Sequence, residues 1–274
     1  MNEAASDAGD VRLQVESAVA SIIIDRPDKR NALRLATWLA LPRMIAAVDG
    51  DPAVRLIIVR GEGGHFSAGN DIAELSILRG DPAGAEAFGT AMAAATQALE
   101  GASKPVLVVI EGHCYGAAVA LALAGDVRIA ASGAEFAITP AKLGAVYLAS
   151  DLHRLVAAIG QGPSKRLLYS AQTIGAEEAR MIGLVDEVLP IESFARELDQ
   201  LVERIISGSQ LTLSRTKQML RTVGLGPAPL ETGATLRPFV EAIQSRDFVE
   251  GSAAFHERRR PDFKLCLSDS LGSR

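Results

Sequence analysis

Short apolar runs rich in β-branched residues alternate with longer helical repeats along this chain. "VRLQVE" (Val11–Glu16) and "VASIIID" (Val19–Asp25) are strand-like and separated by Ser17-Ala18, which predicts a hairpin. "RPDKRNAL" (Arg26–Leu33) reads as a loop, because Pro27 and Asn31 break the periodicity. A helix is expected from Leu35 to Val48, ending near Gly50, with Pro42 either kinking it or marking a boundary. "RLIIVRG" (Arg55–Gly61) has the unbroken apolar character of a buried strand.

The same order then repeats. An Ala-rich helix over Pro82–Glu100 precedes a buried strand in "KPVLVVIEG" (Lys104–Gly112), a small-residue helix at Gly116–Ala124 and a strand in "DVRIAA" (Asp126–Ala131). "EFAITPAKLG" (Glu135–Gly144) is mixed. From Ala149 onward helices dominate, with one strand expected at "LVDEVL" (Leu184–Leu189). Strand–helix alternation followed by a helical tail predicts an α/β architecture with a helical C-terminal appendage, and no stretch has the composition of a flexible linker.

Composition narrows the functional classes. A length of 274 residues fits one large domain, or one domain with a smaller appendage, and 48% apolar residues supply a sizeable core. The net charge of −5 argues against a nucleic-acid surface, and the locally basic "HERRRPDFK" reads as a solvated face or a phosphate contact. Cys114 and Cys266 lie far apart without a CxxC pair, which disfavours a disulfide framework or a zinc site and favours a reducing compartment. "MNEAASDAGD" is acidic and polar, unlike a signal or transit peptide, and runs such as "PVLVVI" are too short to span a bilayer. A cytoplasmic protein with neither nucleic-acid nor membrane partner is therefore expected.

"GGHFSAGNDI" (Gly63–Ile72) concentrates backbone freedom directly after a buried strand. Ser67 does not sit in a GxSxG elbow, "GQGPSK" (Gly160–Lys165) lacks P-loop spacing, no GxGxxG follows a strand, and the four histidines show no metal-ligand spacing. Two similar places remain, each an apolar strand running into a small-residue turn and then a helix: Leu56 through Asn70 to Ile72, and Val106 through Gly116 to Ala120. They are either ordinary α/β turns or two helix starts whose N–H groups form an oxyanion hole.

"IDRPDKRNAL", "FSAGNDI", "KPVLVVIEGHCYGAAVALALAGDVRIAA", "FAITPAKLG", "TIGAEEARMIGLVDEV" and "FVEGSAAFHERRRPDF", in this order, resemble the crotonase (enoyl-CoA hydratase/isomerase) superfamily over nearly the whole chain. The resemblance implies a stacked β-spiral core over 1–200 and a helical oligomerisation region over 201–274, assembling as a homotrimer or a dimer of trimers. It also implies an acyl-CoA thioester substrate, with coenzyme A entering only as part of that substrate and no separate cofactor or metal. The thioester oxygen would be held by the backbone N–H groups of Asn70, in the turn with Ala68 and Gly69, and of Ala117, after Gly116. "DKRN" resembles the segment beside the coenzyme, so Lys29, Arg30 and Ala32 are candidate contacts, as are Asp71, Ile72 and Pro140. Phe263 and Lys264 resemble residues that reach a neighbouring subunit's nucleotide.

Hydratases of this superfamily use two glutamates, and the matching positions here are Ala120 and Pro140. Neither side chain carries a proton. "FAITPAKLGAVYLASDLHRL" is similar to bacterial methylmalonyl-CoA decarboxylases, which share a TP…LG…Y pattern and place the residue matching Tyr147 by the substrate carboxylate. Those relatives have histidine where this chain has Asn70. Decarboxylation of a malonyl-type thioester is the reaction this implies. The alternatives are a hydratase or isomerase using a relocated acid among Asp71, Glu74, Glu135 and Asp151, or a catalytically silent acyl-CoA-binding relative. Ile72, Leu75, Leu78, Phe88 and Met92 are candidates for either the acyl pocket or the core.

Overall fold

A computed structural model describes residues 9–222 and 233–263. The chain divides into two compact units: one runs to Leu198 apart from Ser103–Pro105, and the other takes Ser103–Pro105 and the chain from Asp199. In chain order the elements are β1 (Val11–Glu16), β2 (Val19–Ile24), α1 (Leu35–Asp49), β3 (Leu56–Gly61), α2 (Ile72–Ile77), α3 (Pro82–Gly101), β4 (Val106–Ile110), β5 (His113–Tyr115) and α4 (Ala117–Leu123). There follow β6 (Val127–Ala131), β7 (Glu135–Ala137), α5 (Pro140–Leu143), α6 (Ala149–Ile159), α7 (Gln161–Ser170), β8 (Thr173–Gly175), α8 (Ala176–Met181) and β9 (Glu187–Leu189). Helices α9 (Phe194–Ile206), α10 (Gln210–Thr222), α11 (Gly233–Ile243) and α12 (Arg246–Glu257) complete the described residues. No described helix is long and apolar enough to cross a membrane.

Two sheets organise the first unit. One has strand order β1-β2-β3-β4-β6-β9, and the other has order β5-β7-β8. Only the β1–β2 hairpin is antiparallel in the larger sheet; its remaining pairs are parallel. Parallel central strands are covered on both faces, which is why β4 is five consecutive buried apolar residues rather than an alternating pattern. After β4 the chain passes back and forth, giving β5 to the smaller sheet, β6 to the larger, and β7 to the smaller again. That passage is the β-spiral. Across it, α3 buries Phe88, Ala91, Ala95 and Leu99 at helical spacing against α1.

Three local points are decided by the structure. The helix expected over Leu35–Val48 is found as α1, ending at Asp49 before Gly50, so of the two options for Pro42 the boundary is excluded. A helix-interior proline costs about 3 kcal/mol, whereas each fully buried large apolar side chain contributes about 1.5–3 kcal/mol. Trp38, Leu41, Met44, Ile45 and Val48 are all buried on the two sides of Pro42, so packing outweighs the missing bond. The strand expected over Leu184–Leu189 shrinks to β9, because the Leu184 N–H is taken by Ala179 O and the Arg128 side chain holds Leu184 O. Strands β5, β7 and β8, at three residues each, are too short to leave a period in the sequence.

The loop over 26–33 is fastened from within. Asn31 is fully buried with φ +56°. Its amide donates to Glu62 O at 2.8 Å and His65 O at 2.7 Å, and its Oδ1 accepts from the Arg26 N–H at 2.9 Å. A left-handed non-glycine costs about 1–2 kcal/mol, less than the penalty of leaving three buried polar groups unpaired. Replacement Asn31→Leu is therefore expected to lower the unfolding free energy by roughly 2–4 kcal/mol, read as a fall in urea midpoint at unchanged slope.

Candidate active site

The two small-residue turns meet. Ser67 and Cys114 form an isolated parallel bridge, with the Ser67 N–H donating to His113 O at 2.9 Å and the Tyr115 N–H to Ser67 O at 3.0 Å. Each chain then runs three residues further, one to Asn70 and the other to Ala117. Between them stands Gly69, at φ +89°, where a Cβ would lie 2.5 Å from Tyr115 O and 3.2 Å from Ala117 N. Only glycine permits that approach. Gly116, at φ +55°, turns the second chain into α4.

Neither Asn70 nor Ala117 spends its backbone N–H within the described residues. On the loop side, the Leu33 N–H donates to Gly69 O at 2.8 Å and the Asp71 N–H to Leu33 O at 2.9 Å, and strand geometry turns the intervening Asn70 N–H the other way. Ala117 is the first residue of α4, where no intrahelical acceptor exists. Both residues border one cavity of about 380 Å³. Two unpaired donors on one largely apolar cavity form a site for an oxygen that gains negative charge.

The surrounding side chains hold this arrangement. Trp38 Nε1–H donates to Asn70 Oδ1 at 2.9 Å, and Asn70 Nδ2 faces Met92 Sδ at 3.4 Å. The Tyr147 ring lines the cavity while its hydroxyl donates to Gly116 O at 2.5 Å, directly behind Ala117. Burial, with the nearby Cys114 and Asp151, pushes the Tyr147 hydroxyl well above its ordinary pKa, so it is a neutral donor. Burial likewise raises the Cys114 thiol.

The expected residues separate into groups. Ala68, Gly69, Asn70, Ile72, Gly116, Ala117, Pro140 and Tyr147 all border the cavity, as do Leu75, Leu78, Phe88 and Met92. Ala120 is buried in α4 and does not border it. Lys29 and Arg30 are exposed on a short 3₁₀ turn, and neither they nor Ala32 border the cavity, although Arg30 O accepts the Ala68 N–H at 2.8 Å. Lys264 lies outside the described residues; Phe263 borders a groove of the second unit with Phe248 and Phe255.

Of the four candidate acids, three are engaged elsewhere. Asp71 caps α2, accepting from the Ala73 and Glu74 N–H groups, and pairs with Arg26 at 3.1 Å. Glu74 accepts the Leu35 N–H at 2.8 Å, and Glu135 accepts the Tyr115 hydroxyl at 2.6 Å. Asp151 alone borders the cavity. It is 1% exposed, and burial raises its pKa against the pull of Arg154. The sequence analysis missed Trp38, whose partner Asn70 lies 32 residues away, and Arg79, which borders the cavity, because nothing local to those positions signals either.

Comparison with known proteins follows the same lines. Residues 14–265 match a family model described as enoyl-CoA hydratase/isomerase. Crotonyl-CoA hydratase of Syntrophomonas wolfei subsp. wolfei is 33% identical over 252 residues, covering 92% of this chain and 96% of its own. The peroxisomal Delta(3,5)-Delta(2,4)-dienoyl-CoA isomerase of Arabidopsis thaliana is 32% identical over 224 residues, 77% of this chain and 80% of its own. Among solved structures, an enoyl-CoA hydratase/carnithine racemase from Magnetospirillum magneticum superposes with a TM-score of 0.88 at 28% identity, covering 93% of this chain and 95% of that one.

Asp71 also gives an acid-stability test. Burial opposes its charge, but hydrogen bonds from Arg26 and the first turn of α2 outweigh it and hold the pKa below the usual value. The folded state thus favours the ionised form, so the stabilisation is complete above the unfolded pKa of about 3.9 and disappears as pH falls through the lower folded value. Asp71→Asn is expected to lose stability at neutral pH and to show a shallower fall in urea midpoint between about pH 5 and 3 than the parent.

Proposed function

The chain belongs to the enoyl-CoA hydratase/isomerase family, and from that premise we propose that it binds an acyl-CoA thioester and stabilises its enolate between the Asn70 and Ala117 amides. The observation that carries this reading is the pair of unspent N–H groups opening onto one cavity. Charge builds on the thioester oxygen only as the enolate forms, so fixed donors stabilise the enolate more than the ground state. One such donor contributes about 2.7–4 kcal/mol to barrier lowering.

Within that chemistry the favoured reaction is decarboxylation of a malonyl-type thioester. The bond to the carboxylate breaks, its electron pair becomes the enolate, CO2 departs, and the α-carbon then takes a proton. No base is required to start, which suits a chain with Ala120 and Pro140 at the positions that match the hydratase glutamates. No cofactor beyond the substrate's own coenzyme A is invoked. Tyr147 supports the donor turn through Gly116 O. A second reading, proton transfer within an enoyl thioester, is favoured by Asp151, the one carboxyl among the described residues that borders the cavity. Self-association as a trimer or dimer of trimers is proposed for the helical second unit, supported by exposed Phe239, Val240, Phe248, Val249 and Phe255.

Methylmalonyl-CoA is the test substrate, with CO2 release and thioester retention as readouts. Gly69→Ala is expected to cut kcat by about 10²-fold or more, because its Cβ must displace the donor turn. Tyr147→Phe, which leaves Gly116 O without its partner, is expected to cost about tenfold with coenzyme A binding nearly intact. Absence of CO2 release by the parent protein, with hydration and double-bond shift active, would transfer the assignment to the second reading.

A further inference from the structure

The first turn of α6 places Asp151 against the cavity, and its contacts are one-sided. Arg154 donates to Asp151 Oδ1 at 3.1 Å, while Glu100 anchors that same guanidinium through contacts of 2.8 and 3.2 Å. Among the described residues no group donates to Oδ2. A carboxylate kept for structural pairing with arginine commonly engages both oxygens in a fork. Burying an ion pair is also a weak source of stability, since desolvation offsets most of the attraction. The first turn of α6 and Arg154 both favour a carboxylate here, but neither engages Oδ2, and a proton carrier needs an oxygen left free on the cavity side.

We propose that Asp151 exchanges a proton with the α-carbon of the bound thioester through Oδ2. The inference rests on the reading of the cavity as an acyl-CoA enolate site. After loss of CO2, the protonated Asp151 gives its proton to the enolate carbon, the enolate electron pair forms the new C–H bond, and the carboxylate is reprotonated by water. In reverse, the carboxylate takes an α-proton, the C–H electrons pass into the enolate, and the charge on oxygen rests on the Asn70 and Ala117 amides. Arg154 is a positioning residue that sets the ionisation of Asp151. The groups shown to interact with this carboxyl are Arg154 on its own helix and Tyr147 from the preceding loop, with Glu100 at the end of α3 acting through Arg154. Helix α4, packed against α6, contributes only alanine, valine and leucine side chains.

Deuterium uptake at the α-carbon of butyryl-CoA in D2O tests this without requiring decarboxylation. The parent protein is expected to catalyse exchange, and Asp151→Asn to slow it by about 10²-fold or more while still binding butyryl-CoA by calorimetry. Arg154→Gln keeps a hydrogen-bond donor but removes the charge that lowers the Asp151 pKa. The limb on which exchange rises with Asp151 ionisation is then expected to move to higher pH, a shift that a merely structural pair would not produce. Asp151→Asn exchanging at the parental rate, or parent protein that binds butyryl-CoA without exchange, overturns the assignment. Should Asp151→Asn fail to fold, the Arg154→Gln profile decides: an unmoved limb overturns it. Exchange without CO2 release from methylmalonyl-CoA removes only the decarboxylation reading, and failure to bind butyryl-CoA removes both.

Discussion

One backbone contact, the seating of Gly69 against Tyr115 and Ala117, constrains everything built around the cavity. It is closer than any side chain would tolerate, and the parallel bridge between Ser67 and Cys114 fixes its register. A slip of one residue in that bridge would turn one donor away from the cavity, because successive residues of an extended chain face opposite sides. The two amides are useful only as a pair. Their separation is set by strand pairing, which is stiff, rather than by side-chain rotamers, which are not.

That stiffness is backed from two directions. On the loop side, Asn31 ties 26–33 to Glu62 and His65, while Asp10 accepts from Arg34 at 2.5 Å and lies 3.5 Å from Arg26, which also reaches Asp71. Polar groups fasten this loop together with the buried Leu33 side chain, where the chain must bring a turn up to the donor. On the cavity side, Trp38 and Tyr147 each give one hydrogen bond to the donor turns, to Asn70 Oδ1 and Gly116 O. The site is thus built of main chain and braced by side chains. The donor at position 117 belongs to the main chain, so the alanine side chain there does not remove it.

Electrostatics divides the acids by location. Asp71 is helix-capping, its pKa held below the usual value by Arg26 and backbone N–H groups; Asp151 is buried, its pKa raised by that burial, with one oxygen unshared. The same residue type meets opposite shifts in the two places. Burial and the number of donors decide which.

Much of the fold was legible in local pattern. The hairpin, the buried strands at Leu56–Gly61 and Val106–Ile110, the Ala-rich helix and the helical tail follow from periodicity, and the glycines at 69 and 116 mark the donor turns by composition. The resemblance to the crotonase superfamily, rather than local pattern, named Asn70 and Ala117 as the donors. Strands β5, β7 and β8 were not legible, being three residues each and formed only because partners from distant segments supply the ladder. Nor were the hydrogen bond from Trp38 to Asn70 or which of four acids faces the cavity. These depend on burial and on contacts between segments 30 to 100 residues apart, energies that no local run of sequence contains. The sequence by itself determined which stretches could be strands, helices and glycine turns; tertiary packing decided which of their polar groups were left unpaired on a common cavity.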